Sequence, residues 1–239
     1  MSMAGNPYET PAFSIAANAN VDERADFITK TYLHLVGAIG CFVLLEAALL
    51  SAPFTPNLIG RMAGGGYSWL IVLGLFMVVS WIADAWARSS TSVAMQYAGL
   101  SLYVVAEAVI FLPLLYIARQ MDPATIPTAG IATLALFGVL TAIVFVTRKD
   151  FSFLRSILMF GGFAALGLIV VALLFQFSLG PIFSVAMVAL ACGYILYGTS
   201  NVLHHYRIGQ HVAAALSLFA SVALLFWYIL RLVMAFNRD

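Results

Sequence analysis

Three acidic side chains stand inside long apolar runs: Glu46 in LLEAALL, Asp84 in WIADAWA and Glu107 in VVAEAVIFL. An ionised group at the centre of a membrane helix costs roughly 2.5 to 3.5 kcal/mol on insertion scales, so its place in a bundle has to be compensated. Two kinds of chemistry follow. Either the acid is held neutral by a hydrogen bond to a neighbouring helix, or it serves a path for protons or cations. At a rise of about 1.5 Å per residue, Glu107 lies near the middle of its run, Glu46 in the outer half and Asp84 within a turn of the cytoplasmic end. Asp84 has the plainer reading, because Arg88 follows at i+4 in the order that suits a helix ion pair. Arg231, in YILRLVMAF, lies toward the outer end of the last run and is the candidate counter-charge for Glu46 or Glu107. Two acids and some carbonyls form at best a weak calcium site, and no other cofactor is expected.

His204, His205 and His211 fall in the last cytoplasmic loop, and His34 begins the first run at the same face. Imidazole titrates near neutrality, which makes them pH-sensing candidates. A metal centre would need carboxylate or cysteine partners that this loop does not itself supply. No Ser-His-Asp set and no His-Glu-x-x-His motif marks a hydrolase, so an enzyme is not expected. Without a Gly-x-x-x-x-Gly-Lys loop or a basic block, nucleotide and nucleic acid partners are set aside.

The elements that must position these groups are helices in a bilayer. Hydrophobic residues make up 63% of the chain and charged ones 9%, against about 25% charged in an ordinary soluble domain. About 20 helical residues cross a hydrocarbon core. Seven runs of that kind are predicted, at 31–52, 68–87, 93–118, 125–147, 153–175, 179–201 and 212–235, separated by short punctuated loops such as RSSTS, RQMDPATIP and TRKDFS. Short loops make consecutive spans antiparallel neighbours. Residues 1–30 read as a polar cytoplasmic tail, with 1–20 disordered, 31–235 as the membrane domain and 236–239 as a short C-terminal tail. No leader peptide is expected ahead of the first span.

Orientation follows from Lys and Arg. With the N-terminus inside, Arg24, Lys30, Arg88, Arg148, Lys149, Arg155 and Arg207 are cytoplasmic and Arg61, Arg119, Arg231 and Arg238 are outside, seven against four. The expectation is a plasma-membrane protein, N-in and C-out. Gly37 and Gly40, and Gly161, Gly162, Ala165 and Gly167, are expected at close helix contacts. Trp69 and Trp86, near opposite ends of the second span, read as interfacial anchors. Cys41 and Cys192 both lie in apolar runs and imply no disulfide framework.

The segment FVTRKDFSFLRSILMFGGFAALGLIVVALLF resembles the fourth-loop and fifth-span signature of the Bax inhibitor family, the transmembrane Bax inhibitor motif proteins. ILYGTSNVLHH followed by HVAAALSLFASVALLFWYILRL is similar to the family's last two spans, and ERADFITKTYLHLVGAI to its first, so the resemblance covers residues 22–235. It implies an all-α membrane fold with six helices around a central seventh. It also implies a slow leak of calcium or protons, latched by two aspartates that share a proton, because two close carboxylates cannot both ionise cheaply. Among bacterial relatives it implies another role, binding and restraining an ATP-dependent membrane protease of the FtsH type. The first aspartate belongs in Leu-Tyr-Asp-Thr, where this chain has Leu196, Tyr197, Gly198 and Thr199. The second belongs in Leu-Tyr-Leu-Asp, where it has Leu218, Phe219, Ala220 and Ser221. Both carboxylates are missing, so any pH response must come from Glu46, Glu107 or the histidines.

Overall fold

The computed structural model describes residues 15–64, 67–89 and 91–237. Among these described residues are eight helices: α1 Val21–Ser51, α2 Thr55–Ala63, α3 Ser68–Ala87, α4 Val93–Met121, α5 Thr125–Thr147, α6 Leu154–Phe175, α7 Pro181–His204 and α8 His211–Phe236. All but α2 are long and apolar enough to cross a membrane, so the seven predicted spans are borne out.

Local chemistry sets the helix ends. Asn20 caps α1 by accepting the Glu23 amide at 2.8 Å, with Asp22 and Glu23 adding negative charge to the first turn. This start lies ahead of the apolar run at 31, so residues 21–30 belong to the first helix and not to a tail. Ala16 donates its amide to the Tyr206 carbonyl at 2.8 Å, and Ile15 bridges Arg207, which ties residues 15–16 to the α7–α8 connection. The rest of the predicted tail, 1–14, lies outside the described residues, as do 238–239. Ser92 caps α4 through the Met95 amide at 3.2 Å. Arg148 and Gln176 end α5 and α6 in the left-handed conformation, with φ of 51° and 56°. The short α2, with Pro56 in its first turn, sits in what the sequence reads as a plain loop.

The bundle is organised around α8. Its buried residues run along nearly its whole length, from Val212 to Met234, and include the small Ala213, Ala214, Ala215 and Ala223. A helix apolar on every side has no solvent face to offer, and small residues let neighbours approach its backbone. α1, α3, α4, α5 and α7 pack on it, while α6 packs on α7 and α3. The sequence's expectation of a central seventh span is therefore met. Gly161 and Gly162 lie where an added Cβ would come within 2.9 Å of Leu190 and 2.6 Å of Tyr194, so their absent side chains allow the α6–α7 approach. Gly37 and Gly40 have nothing within 4 Å of such a Cβ and make no close contact.

Candidate functional site

Because α6 stands away from α8, a cavity of about 750 Å³ is left between α8, α3, α4 and α6. On α3 it is lined by Trp69, Leu73, Phe76 and Asp84; on α4 by Tyr103, Glu107, Ile110 and Phe111. Those spacings are single helical faces. From Asp84 to Trp69 on α3, and from Leu216 to Arg231 on α8, the lining runs for about 22 Å, most of a hydrocarbon core about 30 Å thick.

Ionisable groups are spread along this length. Asp84 lines one end, and its Oδ2 accepts from Arg88 Nε at 2.8 Å, which bears out the i+4 pair. Glu107 lies mid-helix and is 6% exposed, with Tyr103 one turn before it on the same face and no ion pair among the described residues. Ser217 and Ser221 of α8 also line the cavity, the Ser221 hydroxyl donating to the Ser217 carbonyl at 2.9 Å. Arg231 lies at the opposite end from Asp84. It donates to the Leu179 carbonyl at 3.3 Å, and its guanidinium carbon stands 5.9 Å from the centre of the Tyr228 ring. Arg231 forms no ion pair with Glu46 or Glu107, so the expected counter-charge pairing is not made.

Glu46 is separate. It is 4% exposed on the inner face of α1, and neither carboxylate oxygen has a hydrogen-bond partner. No α1 residue lines the cavity. The reason is an aromatic layer: Phe42, one turn before Glu46, meets Phe111 edge-on at 5.2 Å and Phe219 at 6.0 Å, and Phe111 forms part of the cavity wall. Trp69, at the first turn of α3, also lines the cavity.

The two positions lacking the family aspartates, Gly198 of α7 and Ser221 of α8, are both buried but differ in setting. Ser221 faces the cavity. Gly198 faces α8, where an added Cβ would meet Leu218 Cδ2 at 3.3 Å. Beside Gly198, Ser200 accepts the Phe151 amide at 2.9 Å and so holds the α5–α6 loop. Asp150 in that loop pairs with His205 at 3.1 Å. The loop that carries the histidines holds no carboxylate of its own, and this long-range contact supplies one. The Ser152 backbone amide, with His205 adding to it, holds the Asp150 carboxyl below its ordinary value. His204 Nδ1 lies 3.0 Å from the Ser200 carbonyl; the His211 ring lies 4.9 Å from that of His34, whose Nε2 is 2.8 Å from the Tyr97 hydroxyl. Among the described residues no three His, Cys, Asp or Glu side chains gather as a metal-ligand set.

Comparison with known proteins agrees with this architecture. The family profile described as inhibitor of apoptosis-promoting Bax1 matches residues 24–238. An uncharacterized protein of Pseudomonas aeruginosa is 31% identical over 158 residues, 66% of this chain and 68% of its own length. A BI1-like protein of Arabidopsis thaliana is 37% identical over 115 residues, 44% of this chain and 43% of its own, and the LIFEGUARD 3 protein of the same plant is 31% identical over 180 residues, 59% and 70%. With seven candidate spans, α8 at their centre, and the profile matching almost from end to end, the chain belongs to the Bax inhibitor family of integral membrane proteins.

Proposed function

We propose that the protein is a slow, passive path for cations, calcium or protons, running between α8 and the α3, α4 and α6 walls. One observation carries the reading: Glu107 stands without an ion-pair partner midway along a cavity that covers most of the membrane thickness. A carboxylate without a counter-charge in largely apolar surroundings, with only the Tyr103 side chain beside it, attracts a cation or takes up a proton. The Asp84 carboxylate at one end is already paired with Arg88, and the Arg231 guanidinium at the other end opposes cations, which fits a leak and not a fast channel. By the Lys and Arg count the Asp84 end is cytoplasmic, in a plasma membrane with the N-terminus inside. Lacking the aspartate pair, the path has no shared-proton latch. Calcium and proton entry into proteoliposomes, measured for the parent and for Glu107→Gln across pH, tests the reading; equal entry at every pH removes it.

A second reading, a non-enzymatic regulator that binds an ATP-dependent membrane protease, is favoured by a different feature. A groove of about 640 Å³ between α1 and α4 has a floor of small residues, Gly37, Ala38, Cys41, Ala48 and Ser101, among leucines of both helices and valines of α4. Small side chains of this kind suit the backbone of a partner's helix. Pull-down of such a protease by the parent, by Gly37→Leu and by a variant lacking residues 1–14 separates groove from tail. Undiminished capture by both variants excludes either surface.

A further inference from the structure

The Arg231 end of the cavity has a character that cation passage does not use. Around the guanidinium the lining is apolar and aromatic, with Trp69 of α3, Leu173 of α6 and Trp227 and Tyr228 of α8. Arg231 meets a carbonyl and a ring and has no carboxylate partner among the described residues. A lone guanidinium at the rim of an apolar slot complements a molecule with an anionic head and a hydrocarbon body. We propose that this slot binds one anionic phospholipid, its headgroup phosphate on Arg231 and one acyl chain lying between α8 and α6.

Size, access and charge each bear on the choice of occupant. The slot continues for about 22 Å from Arg231 to Leu216. That exceeds the roughly 15 Å of one leaflet, half of a hydrocarbon core about 30 Å thick. The flanking helices α3 and α6 meet over only a short stretch, so a chain reaches the slot sideways from the bilayer. The acids lie at the middle and far end, which leaves the Arg231 end positive. A zwitterionic lipid brings its own ammonium beside the phosphate and gains less from the guanidinium than an anionic one does. Binding does not require the cavity to conduct, and a bound chain occupies the space of the proposed ion path and closes it while it stays.

Tryptophan fluorescence tests this without a flux measurement. Of the four tryptophans, Trp69 and Trp227 line the slot and Trp81 and Trp86 do not. The Trp81→Phe, Trp86→Phe protein is placed in phosphatidylcholine vesicles carrying a small fraction of chain-brominated phosphatidylglycerol or chain-brominated phosphatidylcholine. Brominated phosphatidylglycerol should half-saturate quenching at about one-fifth of the mole fraction, fivefold being the weight of one basic side chain near anionic lipid. Arg231→Ala should remove that preference, and Arg119→Ala, outside the slot, should keep it. Ala220→Phe retains Arg231 but fills the slot, and should remove the saturable quenching by either lipid. Should Arg231→Ala fail to fold, Arg231→Lys must keep the preference while Ala220→Phe loses it. Equal quenching by the two lipids in the parent, or a preference that survives Arg231→Ala or Ala220→Phe, overturns the proposal.

Discussion

Where Glu107 is ionised, Glu107→Gln takes one charge from the middle of the cavity and preserves the size of the side chain. A monovalent cation about 4 Å from a carboxylate gains about 1 kcal/mol in bulk water and about 4 kcal/mol at an effective dielectric of about 20. Those limits correspond to about fivefold and about a thousandfold in cation occupancy. Glu107 is 6% exposed and its cavity has largely apolar walls, so the true case lies between the limits, and a fall of at least about tenfold in flux is expected. Glu46→Gln supplies the contrast. The Phe42–Phe111 layer separates Glu46 from the cavity, so its flux should match the parent. The assay is uptake into phosphatidylcholine vesicles loaded with a calcium dye or a pH dye, with equal protein incorporation verified for each variant. Unchanged uptake in Glu107→Gln, or an equal loss in Glu46→Gln, would refute the reasoning that cavity lining decides which acid matters.

Other outcomes follow from the same geometry. Glu46→Leu removes a buried carboxyl whose two oxygens lack partners, and should stabilise the protein by about 1 to 3 kcal/mol, raising the thermal midpoint in detergent by about 2 to 4 °C per kcal/mol. Gly198→Asp with Ser221→Asp restores the family's pair of acids, and should make flux depend on pH once Leu218 shifts to admit the new Cβ; a pH-flat flux counts against a pore of the family's form. Asp150 has its carboxyl held below the ordinary 3.8, so its contacts contribute fully above that value and are lost as pH falls through the lower folded one. Asp150→Asn should speed hydrogen exchange at the 148–153 backbone near neutral pH, where the parent loop is fastened through Ser152 and His205.

The spans and the family were legible because both are written in local sequence: apolar runs of membrane length, and motifs in a fixed order. The Asp84–Arg88 pair was legible for the same reason, being one helical turn long. The interior was not. In a soluble helix the apolar face points inward, but lipid is as apolar as the core, so the α1 sequence carries little signal of which way Glu46 turns. Its separation from Glu107 depends on where Phe42, Phe111 and Phe219 meet, and those come from three helices. Asp150–His205 is equally non-local. The α2 helix was hidden in a loop punctuated by Pro56, a residue that the first turn of a helix accommodates. Gly198 and Ser221 could be read only against the family pattern, and the structure adds that one faces Leu218 and the other the cavity.

Whether ions and water enter the space beside α8 can be measured directly. In a protein with Cys41 and Cys192 replaced by alanine, single cysteines at Ser217, Ser221 or Leu224 line the cavity, and one at Ile131, 70% exposed on α5, faces lipid. In phosphatidylcholine vesicles a membrane-impermeant cationic thiosulfonate should modify the three cavity cysteines, leave the Ile131→Cys variant unmodified, and lower calcium entry as modification proceeds. Unreactive cysteines at all three cavity positions, or complete modification with calcium entry unchanged, would contradict a path through this cavity.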